Sequence, residues 1–80
     1  MSNVQLPKKY VKNLEAVGLY LRELRINENL TREDVCRQTK IRKHTLLRIE
    51  RKCHNYGIKH LFILSEFYDT PVSEILSIID

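Results

Sequence analysis

The chain has 80 residues, of which 14 are Lys or Arg and 10 are Asp or Glu, so its formal net charge is +4. A chain of this length forms one domain with a thin core, because it buries only about 60% of its unfolded surface; a large active-site cleft is therefore excluded. The 42% hydrophobic and 30% charged fractions, with two Gly and two Pro, are typical of a globular protein and exclude a disordered or fibrous one.

Three absences in the sequence bear on location. No apolar run approaches the ~18 residues of a membrane span, so we expect no membrane association. No apolar block follows the N-terminal lysines, so we expect no secretory signal. The two cysteines form no CxxC pair, which favours reduced thiols and a cytoplasmic protein.

The N-terminal residues 1–12 are basic, and we expect them to form an arm or an extension of the first helix, with the domain itself at 13–80. Two residues are candidates for the start of that helix. Pro7 suits the first helical position, where its missing N–H costs nothing, and Asn13 is an alternative N-cap.

The first two helices are marked by spacing and by caps. The first has apolar residues at helical spacing, namely Val17, Leu21 and Leu24. It should end near Asn29, because Asn tolerates the left-handed conformation of a helix stop. Thr31 is then the predicted N-cap of a short second helix that ends near Lys40, with acidic residues in its first turn.

The remaining helices are predicted in the same way, from the spacing of apolar residues and from cap residues. Ile41 fills a turn, and a third helix is predicted from about Lys43 to Arg51. The fourth helix has an apolar stripe of Ile58, Leu61, Leu64 and Tyr68. Thr70 as N-cap and Pro71 at the first helical position predict a fifth, whose apolar residues are Val72, Ile75, Leu76 and Ile79. No segment alternates with a period of two, so we expect an all-α, compact five-helix bundle.

The charge is unevenly distributed along the chain. Residues 32–54 hold eight Lys or Arg against three Asp or Glu, a net charge of +5, whereas residues 61–80 hold four acidic residues and no Lys or Arg. This asymmetry predicts a surface that binds a polyanion such as nucleic acid. The alternative is an ordinary solvated surface with chance clustering.

The second and third predicted helices are short, are joined by a tight turn and are rich in cations, which suggests a helix-turn-helix. Such a unit needs a small inward residue on its first helix and apolar anchors at the turn and on its second helix. Cys36, Ile41, Leu46 and Ile49 meet these needs. We therefore expect Cys36 to be a small core residue rather than a redox thiol.

Four stretches together resemble a known family. They are VGLYLRELR (17–25), LTREDVCRQTKI (30–41), HTLLRIER (44–51) and VSEIL (72–76). They resemble the DNA-binding domain of Cro and lambda-type phage repressors, the xenobiotic-response-element (XRE) family. The resemblance implies a lambda-repressor-like helix-turn-helix fold and a sequence-specific regulator that binds double-stranded DNA, as a homodimer on a palindromic operator.

The resemblance also implies an ion pair between Arg25 on helix one and Glu50 at the end of helix three. The alternative is two exposed charges worth less than about 1 kcal/mol. Three positions depart from the family pattern. Lys40 replaces a usual Gly, which predicts a turn strained by about 1 kcal/mol. Arg42 replaces a Ser/Thr cap, which weakens the start of helix three, and Lys52 replaces another Gly, so helix three could run on by one residue.

The family uses the exposed face of helix three to read bases, at positions occupied here by Lys43, His44, Leu47 and Arg48. Arg48 could bind guanine with two hydrogen bonds, and Leu47 could touch a thymine methyl, or else pack onto Ile58 or a partner protein. The candidates for phosphate contacts are the polar and cationic residues around this helix, namely Arg32, Arg42, Thr45, Arg51, Asn55 and Lys59.

The last predicted helix is more apolar than one short helix needs to close the core, which favours a dimer interface; simple closure of the core is the alternative. The same surface suits a protein partner such as a toxin or a regulator, so an antitoxin-like interaction module is the alternative function. We expect no enzyme and no cofactor, because no paired carboxylates, Gly-rich phosphate loop or nucleophile–base pair is present. The spacing of Cys53, His54, His44 and His60 fits no metal-ligand pattern, so we expect no metal.

Overall fold

The computed structural model describes residues 8–51 and 57–78, with side chains from residue 13 onward. It contains five helices, namely α1 (Lys8–Asn27), α2 (Arg32–Thr39), α3 (Lys43–Glu50), α4 (Ile58–Phe67) and α5 (Val72–Leu76). The described residues contain no strand, and the all-α, five-helix fold predicted from the sequence is confirmed. The division into an arm at 1–12 and a domain at 13–80 stays a prediction.

The two ends of α1 can be compared with the predicted N-cap and the predicted stop of the first helix. The helix already includes Lys8, so Asn13 lies inside it and the prediction of an N-cap at Asn13 is wrong. Pro7 lies outside the described residues. At the other end Asn29 takes the left-handed conformation with φ of 58°, as expected of a residue that stops a helix. The chain then turns into α2, and the Leu30 N–H donates to the Arg25 carbonyl at 3.2 Å.

The start of α2 is a capping box, which confirms Thr31 as the N-cap. The Asp34 N–H donates to Thr31 Oγ1 at 3.1 Å, and the Thr31 N–H donates to Asp34 Oδ2 at 2.9 Å. The bond from the Thr31 backbone, followed by the bond with its hydroxyl, lowers the pKa of the Asp34 carboxyl. These reciprocal bonds satisfy donors that a helix start would otherwise leave unpaired.

The core lies where the helices meet. Its buried apolar side chains are Val17, Leu21, Val35, Ile41, Leu46, Ile49, Leu61, Leu64 and Ile75. Burial of each such side chain contributes about 1.5–3 kcal/mol. α3 packs on both α1 and α2, while α5 packs on α1 and α4, so α1 connects the helix-turn-helix with the C-terminal helices.

Two expectations for the C-terminal helices are wrong. Ile58 is 67% exposed, because the first turn of α4 lies at the rim of a groove rather than under another helix. Thr70 does not cap α5: its hydroxyl donates to the Tyr68 carbonyl at 3.1 Å, and Pro71 takes the N-cap position with no side-chain hydrogen bond. Ile75 is fully buried, as its helical spacing predicts. Ile79 lies outside the described residues.

Candidate nucleic-acid interface

The turn between α2 and α3 is built from local hydrogen bonds. Lys40 has φ of 66°, and its N–H donates to the Cys36 carbonyl at 2.9 Å. Thr39 Oγ1 donates to the Val35 carbonyl at 2.7 Å and accepts from the Ile41 N–H at 3.3 Å. A left-handed residue with a Cβ costs about 1 kcal/mol, so the turn tolerates lysine where glycine would be unstrained.

The two ends of α3 differ from those of α2. Arg42 is the N-cap and makes no side-chain capping bond, so α3 begins without the stabilisation that Thr31 gives α2. The helix ends at Glu50, and Arg51 has non-helical angles with φ of −119° and ψ of 51°. The expected extension of helix three past Arg51 is therefore wrong.

The surface of α3 divides into a buried and an outward face. Leu46, Ile49 and Glu50 are buried, whereas Lys43, His44 and Arg48 are exposed. The base-reading candidates thus lie on the part of α3 that no other described helix covers, although the Lys43 ammonium lies 3.3 Å from the carboxylate of Glu33 on α2. An exposed helix face of this length is what a major groove can admit.

Leu47 is half-buried on one flank of this outward face. It lines a cleft together with Leu30, Arg32 and Lys43, among other residues of α1, α2 and α3. Ile58, onto which Leu47 could have packed, lines a separate groove with Leu14, Leu61 and Leu76. A thymine methyl or a partner protein therefore remain the contacts to consider for Leu47.

The phosphate candidates fall into two groups around α3. Arg42, Thr45 and Lys59 line one cleft of about 500 Å³, between the start of α3 and the start of α4. Among the described residues, Lys40, His44 and His60 also line this cleft, and no carboxylate does. Arg32 and Arg51 line a different cleft near the end of α3. Asn55 lies outside the described residues.

Arg25 and Glu50 are brought together in the interior. Arg25 Nε donates to both carboxylate oxygens of Glu50, at 3.1 and 3.0 Å, and its Nη1 donates to the Leu30 carbonyl at 2.8 Å. Glu50 is 1% exposed and Arg25 8%. A carboxylate so deeply buried requires this pairing, because an unpaired charge in the interior is very costly.

A second arginine joins this pair, which the sequence analysis missed. Arg32 Nε donates to Glu50 Oε1 at 2.9 Å, so Glu50 ties the first residue of α2 to α1 and to the end of α3. Arg32 and Glu50 are separated by 18 positions, and no helical spacing rule links them. The approach of Lys40 and His60 to each other in the cleft between the starts of α3 and α4 was also missed, because these residues too lie far apart in the sequence.

Two partly buried titratable groups, a thiol and a phenol, lie near the interface. Cys36 is half-buried against the core, and burial, followed by the charge of Glu50, raises the pKa of its thiol. A raised pKa keeps the sulfur protonated and poorly nucleophilic. Burial likewise raises the pKa of the Tyr68 phenol. Among the described residues no three His, Cys, Asp or Glu side chains could hold a metal ion, and Cys53 and His54 fall outside that part of the chain.

A comparison with protein families bears on the geometry just described. Residues 20–56, a little under half of the chain, match the model of a family described as a helix-turn-helix domain. This stretch includes α2, the turn at Lys40 and all of α3. The chain contains a helix-turn-helix DNA-binding domain. Searches of curated proteins and of solved structures gave no match.

Within the described ranges, no helix combines the length and the apolar character that crossing a bilayer requires.

Proposed function

We propose that this helix-turn-helix protein is a sequence-specific transcriptional regulator of the Cro/lambda (XRE) type that binds double-stranded DNA. The observation that carries the proposal is the outward face of α3, where Lys43, His44 and Arg48 are exposed between two cation-lined clefts. α3 would enter the major groove, with these residues and Leu47 contacting base edges.

The phosphate contacts would come from both sides of α3. Arg42, Thr45 and Lys59 share the cleft at its start, and Arg32 and Arg51 share the cleft at its end, so one strand of the duplex would be held on each side. Asn55 remains a candidate from the sequence. A DNA-binding regulator works in the compartment that holds the DNA, which agrees with the cytoplasmic location expected from the cysteines. Such a regulator needs no catalytic group and no cofactor.

We propose further that the regulator is a homodimer and represses by occupying a palindromic operator. An apolar groove lies between α1, α4 and α5 and is lined by Leu14, Val17, Ile58, Leu61 and Leu76. Phe62 on α4 is 55% exposed, and Ile78, two residues after the end of α5, is 38% exposed. Both add exposed apolar surface to this C-terminal part of the protein. Covering this surface with a second copy would remove it from water and would pair two α3 helices for two half-sites.

Selection of bound duplexes from a random library tests this proposal directly. We expect an enriched palindrome with half-sites about one helical turn apart, and a protein that elutes as a dimer without DNA. The logarithm of the affinity should fall with the logarithm of salt concentration with a slope of roughly −5 to −9 for the dimer. Failure to bind any duplex, or a flat response to salt, would contradict the proposal.

One observation favours a second candidate function. The acidic end of the chain contributes Leu61 and Leu76 to the apolar groove, and its residues 61–80 carry four acidic side chains and no Lys or Arg, whereas the α3 surface is cationic. An antitoxin-like module would use this groove for a protein partner such as a toxin or regulator, with little DNA affinity. Leu76→Asp separates the two: it should abolish partner binding in a module but leave half-site DNA binding by a monomeric regulator.

A further inference from the structure

The cleft at the end of α3 is lined in part by Arg22, a cationic residue that none of the sequence motifs single out. The cleft has a volume of about 560 Å³ and is lined by Leu19, Arg22, Arg32, Leu47, Glu50 and Arg51. Three separate helices contribute to it: Arg22 comes from the middle of α1, Arg32 opens α2, and the rest of its charged residues follow one another at the end of α3. Arg22 lies one helical turn before the buried Arg25.

The charge of this cleft is positive despite the carboxylate in its wall. Glu50 is 1% exposed and already accepts hydrogen bonds from Arg25 and Arg32. Arg22 and Arg51 are exposed, and neither forms an ion pair with any described residue. The cleft therefore presents two guanidinium groups to solvent and part of a third.

The third guanidinium, that of Arg32, is held in position. Its bond to Glu50 uses Nε, which leaves the two terminal nitrogens of the same group to donate elsewhere. The Arg32 side chain is 29% exposed, so solvent or a ligand can reach it. A guanidinium fixed through one nitrogen loses little side-chain freedom when another nitrogen binds an anion.

We propose that Arg22, together with Arg32 and Arg51, forms a binding site for one phosphate of the DNA backbone at the end of α3. Guanidinium groups suit this ligand, because their planar donors match two phosphate oxygens at once. The cleft adjoins the outward face of α3 through Leu47, so a phosphate held there belongs to the backbone beside the groove that α3 enters. This inference rests on the proposed function, and adds α1 to the DNA-binding surface.

Arg22→Gln tests the site, with Arg37→Gln as the matched control. Arg37 is also an exposed arginine, 70% exposed in its side chain, but it pairs with Asp34 and lines none of the three clefts around the helix-turn-helix. Both variants lower the net charge by the same amount. The measurement is the affinity of each protein for the selected operator and for a random duplex, over a series of salt concentrations.

We expect Arg22→Gln to weaken binding to both duplexes by the same factor, roughly tenfold, and to make the salt slope less negative by about 1 per protomer. Arg22→Lys should keep the slope but lose part of the affinity, since lysine supplies the charge without the two parallel bonds. Arg37→Gln should leave both quantities near those of the wild-type protein.

The outcomes separate this site from the proposed function. If wild-type protein binds duplex DNA and Arg22→Gln behaves like Arg37→Gln, the phosphate site is refuted and the regulator proposal stands. If Arg22→Gln changes sequence preference instead of overall affinity, the residue reads bases and the phosphate assignment is wrong. If the wild-type protein binds no duplex, both proposals fall.

Discussion

Gly18 of α1 lies against the backbone of Ile49 in α3. A Cβ built on Gly18 would lie 1.9 Å from the Ile49 carbonyl oxygen, far inside any permitted contact. Glycine in the middle of a helix costs roughly 1 kcal/mol relative to alanine, so its presence here is explained by the close approach that it allows. That approach brings the end of α3, with Glu50, next to Arg25, which lies about two turns further along the same helix.

Replacing Gly18 with alanine should therefore destabilise the protein although alanine is the better helix former. We expect the free energy of unfolding to fall by about 2 kcal/mol or more, because α1 must move away from α3. For a domain of this size that corresponds to a lower melting temperature by roughly 8–16 °C. Gly57→Ala is the control, since the nearest atoms to its Cβ lie at 4.0 Å, and should cost less than about 1 kcal/mol. Equal stability of the two variants would refute the close contact.

Removing the carboxylate of Glu50 should be among the most damaging single changes. Glu50→Ala leaves Arg25, which is 8% exposed, without its partner, and we expect a loss of about 3–5 kcal/mol. The control is Glu33→Ala, which breaks the exposed pair with Lys43 and should cost less than about 1 kcal/mol. Chemical denaturation measures both. An unchanged free energy of unfolding for Glu50→Ala would show that the ion pair is not needed for the fold.

Replacing the left-handed residue in the turn between α2 and α3 with glycine should stabilise the protein. Lys40→Gly removes the Cβ at a residue with φ of 66°, and we expect a gain of up to about 1 kcal/mol, reduced by the greater freedom of glycine in the unfolded chain. The comparison is Lys43→Gly at the first position of α3, where the backbone is helical, and this variant should lose up to about 1 kcal/mol. Thermal unfolding distinguishes them by sign. If both variants lost stability equally, the left-handed turn at Lys40 would be wrong.

The capping box predicts a dependence on acid. Bonds from Thr31 lower the pKa of Asp34 from 3.8, so the folded protein holds this proton less tightly than the unfolded chain does. The ionised carboxylate then stabilises the fold above the unfolded pKa, and this contribution is lost as pH falls through the lower folded value. Asp34→Ala should accordingly melt below wild type at pH 7, and the difference should shrink as pH falls below the ordinary range of an aspartate carboxyl. A difference that did not change with pH would contradict the role of the charged carboxylate.

Arg48 should read a base rather than a phosphate. It lies in the last turn of α3 and is exposed on the outward face. Arg48→Ala should remove the preference for one base pair per half-site, worth about 1–3 kcal/mol. Lys59→Ala, in the cleft at the start of α4, should weaken binding to all duplexes alike. Repeating the library selection with both variants measures this, and unchanged specificity in Arg48→Ala would remove the base-reading role.

The features that the sequence determined are those set within one or two helical turns. Thr31 and Asp34 form a cap because they are three positions apart, and Asn29 stops α1 because its own side chain tolerates positive φ. The buried positions of Val17 and Leu21 likewise follow from helical spacing. Such signals depend on neighbours along the chain, so they can be interpreted before the fold is known.

The tertiary structure alone decided the contacts between helices. Arg32 binds Glu50 rather than standing as a solvated cation, Gly18 meets Ile49, and Ile58 lies at the rim of a groove instead of in the core. These residues are brought together from positions far apart in sequence, and which of them meet depends on how the helices cross. Periodicity shows which face of a helix is apolar, but only the packing of whole helices determines what that face touches.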